Sequence, residues 1–590
     1  MHKLFYILRS AVSFARETAL DRFGVVHAGK YGNDCLDSLF YPVQPAKTVY
    51  VLDYGKYSAE ERAMLVFLQG LTAKNAACIY INGGGMHDAF LKSYQEKYIN
   101  TGISQTRFDY SVTDPWELAG KFKECFGGKF VVFGEIDEND PSIHIAATVA
   151  GMENWLGVPA ALRDEALARG FVEARDVRNI PGSYAEKQRG IFREYKNRLN
   201  RRLIVHVNPN DTNLIDMGIV NGCFHFFTHD RRNQPENFLE ERALRHEVFK
   251  WADPAALMLG FWAWDDEIVF INDISRFGKT ILPANYPNCT TLASFKSSET
   301  VSQPWRTDSG APKAEAVAGK HTIAFYVTDV DNLSCANNSG GGVCAPYENI
   351  LGPRRRSGDT FKMSYSISPL LRVISPFSME YLYNNDDNYG IGRYDAYVGC
   401  TSGMSIINPC SYPRRNLETF GKMTAQTMEK SDIRVITPID QLYHSPSFVK
   451  RAHKYFCSFA KHSSVKGGLW QVDPPKYAAG YGVVVWAEDK PWIAVRTALW
   501  GPDDSHNSVT HEWLDRIAAS LNQRSGDISS IDGYSVLAIH PWSINYEDIQ
   551  YLVSRLDTDK TQIVFAEELI DMVAEHVPHK YAVPKREMEN

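Results

Sequence analysis

Short apolar runs alternate with longer amphipathic stretches along most of this chain. From Lys47 the order is a strand over Thr48–Leu52, a helix over 58–71, a strand over Ala77–Ile81, a helix over 86–98 and a strand over Lys129–Phe133. Such alternation predicts an open α/β layer with a largely parallel sheet. A second α/β segment follows, with strands near 203–207, 257–262 and 280–283. Between Lys296 and Lys320 the sequence turns to Ser, Thr, Pro, Gly and Ala, which reads as a linker. Beyond it, strand candidates lie near Ile323, Phe361, Tyr394, Ile433, Gly468, Val483, Ile493, Tyr534 and Gln562, most of them followed by a helical stretch such as 370–383 or 414–430. Seven or eight β/α units in roughly 250 residues is the size of a (β/α) barrel. The runs 483–486 and 492–496, separated by 487–491, read as a hairpin inserted in it.

The predicted fold class is therefore α/β, with open N-terminal α/β domains followed by a C-terminal (β/α)7–8 barrel-like domain. The expected divisions are an N-terminal helix and lead-in over 1–45, an α/β domain over 46–150, a second α/β segment packed with it over 151–300, and a linker over 301–320. A barrel-like catalytic domain over 321–577 and a tail over 578–590 complete the chain.

Size and charge change this picture little. At 590 residues the chain exceeds what one core can organise. Its net charge of −7, with Arg354, Arg355 and Arg356 as the one dense basic run, argues against nucleic acid as a partner. That run reads as a solvated loop. No window reaches the ~18 apolar residues of a membrane span. Residues 4–8 resemble the apolar part of a leader, but Arg9 and Arg16 interrupt it, which favours cytoplasm over export. The ten cysteines form no CxxC pair, which argues against a zinc ribbon. Cys335 with Cys344, and Cys400 with Cys410, bracket loops and would suit local disulfides in an exported protein. The sequons at Asn210, Asn288, Asn332 and Asn337 matter only on a secretory route.

Candidate chemistry concentrates where apolar strands end. Thr322–Val327 runs into Thr328, Asp329, Val330, Asp331 and Asn332, placing two carboxylates at a strand mouth, where α/β barrels carry their chemistry. In an extended segment Asp329 and Asp331 would share a face, roughly 6 to 7 Å apart at Cα. Local turn formation is the bland alternative. Trp264, Asp265 and Glu267, beside Trp262 and Asp266, read as a substrate wall or as a helix cap. Asp386, Asp387 and Asp395 lie in or just after a Gly/Asn/Tyr-rich loop. Ser402, Gly403, Arg496, His540 and Trp542, with Ser543, fall at the ends of further strands. Gly83–Gly85 offers backbone amides to an anion but lacks phosphate-loop spacing and reads as a tight turn. His225 and His229 have a metal-like spacing on a strand or loop, where a structural role is the more natural reading.

In order along the chain, Leu68-Gln69-Gly70-Leu71 with Ile79 and Tyr80, Gly260–Trp264 with Gly278 and Asn288, Asp329-Val330-Asp331-Asn332, Lys490-Pro491 with Arg496 and Trp500, and His540 with Trp542 resemble the GxGYxYP family of putative glycoside hydrolases, from about Tyr50 to Val577. The resemblance implies the family's fold and a carbohydrate substrate. The segment matching the family's name is Gly403-Met404-Ser405-Ile406-Ile407-Asn408-Pro409, which keeps the first glycine and the proline and lacks both tyrosines; Val330 replaces a glycine.

Glycoside hydrolysis is the leading expectation, with Asp331 as proton donor and Asp329 as nucleophile or base. Asn332, Trp264, Asp265, Glu267, Asp395, Ser402, Gly403, Arg496, His540 and Trp542 are the expected substrate contacts. The mechanism requires no cofactor and no protein metal ligand, although an oxygen pair at Asp329 and Asp331 also suits a divalent cation. A polysaccharide deacetylase would need a histidine pair soon after the second barrel strand, where Ser368 and Pro369 stand instead. A non-catalytic glycan-binding protein derived from an enzyme is the third reading.

Overall fold

The computed structural model describes residues 36, 38–229, 235–261, 267–307, 310–330, 332–333, 346–384, 391–440, 446–473, 476–503, 505 and 508–585. The predicted helix before residue 36, together with Trp262, Trp264, Asp265, Asp266, Asp331, Cys335, Asn337, Cys344, Asp386 and Asp387, lies outside the described residues.

Three small parallel sheets precede a large curled one. The first holds β1 (Pro45–Asp53), β2 (Ala77–Asn82) and β3 (Arg107–Asp109) in the order β2-β1-β3. The second holds β4 (Lys129–Phe133), β5 (Leu156–Pro159) and β6 (Val172–Asp176) in the order β5-β4-β6. The third holds β7 (Leu203–His206), β8 (Phe224–Phe226), β9 (Leu257–Leu259) and β10 (Thr280–Leu282) in the order β10-β9-β7-β8. Strands β5 and β6 escaped the sequence pattern because Gly157, Pro159 and the alternating Val172–Asp176 carry too little continuous apolar character.

The helix Ala59–Ala73 shows how local sequence sets an element. Ser58 accepts from the Glu61 amide and Glu61 returns a bond to the Ser58 amide, closing a capping box. Near its end Gly70 lies against the helix Ile215–Asn221, where a Cβ would come within 2.8 Å of the Asp216 carbonyl and of Ile219. Only glycine permits that approach. The neighbouring Gln69 amide donates to Asn288 Oδ1 at 2.7 Å and to the Ile79 carbonyl at 2.8 Å, while Asn288 also bridges both backbone groups of Ile81. Buried Asn288 therefore ties the first sheet to the third.

The curled sheet contains β11 (His321–Val327), β12 (Met363–Ile367), β13 (Asp395–Thr401), β14 (Val435–Thr437), β15 (Ile439–Asp440), β16 (Gly467–Val472), β17 (Val484–Ala487), β18 (Lys490–Ala494), β19 (Thr497–Leu499), β20 (Tyr534–Ile539) and β21 (Thr561–Val564). Its main path runs β17-β18-β16-β14-β13-β12-β11-β20-β19, with β15 beside β16 and β21 beside β11. The predicted hairpin exists as the antiparallel pair β17–β18, but β18 is no insertion, because it also pairs in parallel with β16. The chain then passes across: Val495 donates to Trp470, Arg496 donates to Val536, and β19 pairs with β20. Residues 490–499 thus tie the β16 side of the sheet to its β20 side.

Side chains alternate between two environments, as strand geometry requires. Phe325 and Val327 join the core shared with the outer helices, whereas Ala324 and Tyr326 face the concave side with Val398, Val435, Leu469, Ile493, Val536 and Ala538. The helix Ala566–His576 fills that concavity through Leu569, Ile570 and Val573 and touches β11, β14, β16, β18 and β20.

The predicted linker is anchored rather than free. Gln303 exchanges hydrogen bonds with the backbone of Tyr397 and donates to the carboxylate and carbonyl of Asp432, and Arg306 pairs with Glu567. The arginine run is a short helix, Gly352–Ser357, in which Arg354 is buried and ion-paired with Asp395 at 2.7 Å. Cys400 and Cys410 are not joined by a disulfide. Among the described residues no helix is long and apolar enough to cross a membrane.

Candidate functional site

Three adjacent strand ends build the best-formed cluster. In the ladder Ile539 is opposite both Leu499 and Val327, so the residues that follow, Trp500, His540 and Thr328, emerge side by side at the carboxyl rim. The His540 amide donates to the Leu499 carbonyl and the Thr328 amide to the Ile539 carbonyl, both at 2.9 Å, which holds the rim in register to its last residue.

Asp329 leaves the strand at once, with φ of 61°. This left-handed turn corrects the expectation that Asp329 continues the extended strand: the alternation of strand side chains ends before Asp329, so its carboxylate is aimed by the turn. The Thr328 hydroxyl lies 2.7 Å from Asp329 Oδ2, and the Val330 amide donates to Ser366 Oγ at 3.3 Å. A left-handed aspartate costs backbone energy and persists only where surrounding bonds hold it.

His540 Nε2 faces Asp329 Oδ2 at 3.7 Å, with side-chain exposures of 13% and 27%. The imidazole is fixed from two further directions. Its ring is stacked on Trp500 at 3.6 Å between centroids and 3° between planes, and Nδ1 lies 2.9 Å from Ser543 Oγ. Ser543 Oγ also accepts the Gly501 amide at 3.0 Å, and its hydroxyl can either donate to Nδ1 or accept from it. Tyr477 meets the edge of Trp500 at 5.1 Å, and Lys476 Nζ donates to the Gly501 carbonyl. Trp542 stands beside this group with 48% of its surface exposed.

Two carboxyls farther round the rim have raised pKa values. Asp440, at the end of β15, is pushed up to about 6 by burial, against hydrogen bonds from the Cys410 amide and the Trp470 indole. Asp473, just after β16, is half-buried, and burial also raises its pKa. Sequence reading missed both, Asp440 because a two-residue strand carries no periodicity, and used Trp500 only as part of a resemblance.

The other expected contacts separate into groups. Asn332 is half-buried on the same loop as Asp329, and Glu267 is exposed at the start of the helix Glu267–Arg276. Asp395 does not line the rim. It begins β13, at the opposite end of the strand, where Arg354, the Tyr365 hydroxyl and the Gly392 amide occupy its carboxylate. Arg496 is likewise turned away: its guanidinium donates to the carbonyls of Asp532 and Tyr534, at the start of β20. Ser402 and Gly403 do follow β13, but Ser402 is fully buried, with its hydroxyl donating to the Ile407 carbonyl, and Gly403 packs on Thr424. Both shape the loop rather than meet a ligand.

That loop docks the third sheet. Ile406 and Ile281 exchange two backbone hydrogen bonds, at 2.7 and 3.0 Å, adding the segment to the edge of β10. Asn408 and Ser411 bond Asn272, and the Tyr412 hydroxyl donates to the Gly278 carbonyl. Leu333, four residues beyond Asp329, donates to the Pro283 carbonyl just after β10.

The histidine pair is structural. His225 is buried against Gly218, while His229 is engaged by Glu241 and by the Glu138 carbonyl. At Gly83–Gly85 the Asn82 side chain accepts the Gly84 amide and donates to Asp88, so the glycines serve a turn.

Comparison with known families matches residues 48–124 to the GxGYxYP_N first domain, 201–294 to the GxGYxYP third domain, and 319–574 to the GxGYxYP putative glycoside hydrolase C-terminal domain. The chain belongs to the GxGYxYP family. A solved structure, described as a putative hydrolase from Bacteroides thetaiotaomicron VPI-5482, covers 92% of this chain over 97% of its own length, with 21% identity and a TM-score of 0.74. That likeness shows the shared fold. No curated protein matches the chain. In this GxGYxYP member, Gln69, Gly70, Gly278 and Asn288, all singled out by the family resemblance, hold elements together, and so does the segment from Gly403 to Pro409. Asp329, His540, Trp500 and Trp542 are the matching positions that gather at the rim.

Proposed function

We propose that this protein is a glycoside hydrolase whose curled sheet works as a (β/α) barrel and carries its chemistry at the carboxyl rim, with Asp329 and Asp331 as the acting carboxyls. The observation that carries this reading is Asp329, held in a left-handed turn and facing a histidine locked between Trp500 and Ser543. A carboxylate with one oxygen directed at an imidazole can accept a proton from water or attack an anomeric carbon, while His540 steadies its charge. Trp542 offers an exposed aromatic face of the kind that stacks on a pyranose ring. Membership of a family described as putative glycoside hydrolases supports the same class of substrate.

The test is product release from a panel of poly- and oligosaccharides, read by mass spectrometry, for wild type beside Asp329→Asn and Asp331→Asn. New oligosaccharides that fall about a hundredfold or more in both variants are expected. Loss of acetyl mass from intact chains would point instead to a deacetylase, and sugar binding without cleavage would point to a binding protein.

A further inference from the structure

The third sheet carries its own ligand-binding geometry. Its order, β10-β9-β7-β8, reverses direction between β7 and β9, since the chain proceeds from β7 outward to β8 and then crosses back to β9. In open parallel sheets the loops at such a reversal part on opposite faces and leave a crevice outside the carboxyl ends of the two strands. At that point Gly260, with φ of 91°, allows the β9 end to approach the β7 end, where a Cβ would lie 2.4 Å from the His206 carbonyl.

Past the ends of these two strands, polar side chains hold one another in fixed positions. Asn285 Nδ2 donates to Asp211 Oδ2 and its Oδ1 accepts the Phe261 amide, both at 3.0 Å; Asp211 Oδ1 accepts the Asn213 amide at 2.9 Å. Asp211, Asn213, Asn285 and Phe261 all remain partly exposed. Asp211 is also hydrogen-bonded by the Asn213 side chain, and the Asn285 amide has a second proton to give. The loop after β7 reads Asn208-Pro209-Asn210-Asp211: Pro209 removes a backbone donor and Asp211 sets a carboxyl, not a cation, at the loop, so the chemistry suits a neutral, hydroxyl-rich ligand rather than a nucleotide.

This crevice adjoins the rim. Asn285 lies two residues beyond Pro283, whose carbonyl accepts the Leu333 amide from the Asp329 loop, and β7 is two strand spacings, about 10 Å, from β10. We infer that Asp211, Asn213, Asn285 and Phe261 form a distal subsite for the carbohydrate chain acted on at Asp329, with the polar groups binding sugar hydroxyls and Phe261 stacking on a ring. The inference rests on the glycoside hydrolase reading and extends it: the substrate is an oligo- or polysaccharide that spans two sheets.

The experiment measures initial rates of wild type, Asn285→Ala and Phe261→Leu on a length ladder of the oligosaccharide that the panel shows to be cleaved. Expected is a rise in KM of about tenfold for long chains, with kcat within about twofold and no change for the shortest cleaved chain. Phe261→Leu retains bulk and the backbone donor, so it guards against loss of folding in Asn285→Ala. Unchanged KM in both variants, or an equal rise at every chain length, overturns the subsite while leaving the hydrolase reading intact. No cleavage of any chain by wild type overturns the hydrolase reading and the subsite with it.

Discussion

At the scale of single residues, burial decides what polar groups do. His144 and His225 are fully enclosed with no hydrogen bond at either ring nitrogen, and His206 has a bond at Nε2 alone. Burial, the largest cause for all three, lowers their pKa values, to about 3 for His206 and His225. A histidine unfolds to a value near 6.5, so between those limits the unfolded chain binds more protons than the folded one. Their contribution to stability is therefore complete above about pH 6.5 and is lost as pH falls toward 3. We expect the thermal midpoint to drop steadily from pH 7 to pH 4.5, at about 1.4 kcal/mol per pH unit for each histidine, and His225→Leu to show a shallower slope. A slope unchanged in His225→Leu would assign the effect to other groups. Gly70 makes the steric point. Gly70→Ala should cost about 1 to 3 kcal/mol by forcing apart the helices Ala59–Ala73 and Ile215–Asn221, measured by urea unfolding.

At the scale of elements, the helix Ala566–His576 closes the concave side of the curled sheet with apolar residues on one face and buried acids at its first turn. Glu567 is held by Arg306 and Lys466, and Glu568 by Lys362 at 2.7 Å. The Arg306 bond and charge keep the Glu567 pKa low despite burial. Arg306 keeps Asp432 at 3.1 Å and Lys466 keeps Asp571 at 2.7 Å, so Glu567→Gln should destabilise by about 1 to 3 kcal/mol, and Leu569→Ala by about 2 to 5 kcal/mol through a cavity. Denaturant midpoints followed by tryptophan fluorescence would show both; a silent Leu569→Ala would mean the helix is dispensable to the sheet.

For the whole molecule, one apolar core runs through the first sheet (Val49, Val51), the third (Val205, Leu259) and the outer face of the curled sheet (Phe325, Leu537). Phe90 and Tyr94 pack on Phe377 across the same boundary, at 4.9 and 5.0 Å between ring centroids. Elements that share a core unfold together. Calorimetry should therefore show a single main transition; two well-separated peaks would establish independent units. The rim and the third sheet are joined at Ile406, Tyr412 and Leu333, so Tyr412→Phe, which removes the bond to Gly278, should lower stability by about 1 kcal/mol.

The sequence by itself determined the elements and their class. Apolar runs and caps such as Ser58-Glu61 act between near neighbours, and they placed β1, β2, β4, β7, β11, β12, β20 and the helix Ala59–Ala73 close to where they lie. It also determined that acids and aromatics stand at the end of β11 and of β20. Only the tertiary structure decided which of them meet. Asp329 and His540 are far apart along the chain and come within 3.7 Å because β11 and β20 pair in one register. Asp395 and Arg496, equally plausible in sequence, are turned to Arg354 and to backbone carbonyls at the far end of the strands. Local periodicity records which face of an element is apolar; it carries no record of which distant strand lies beside it, and a site assembled from strand ends depends on that pairing.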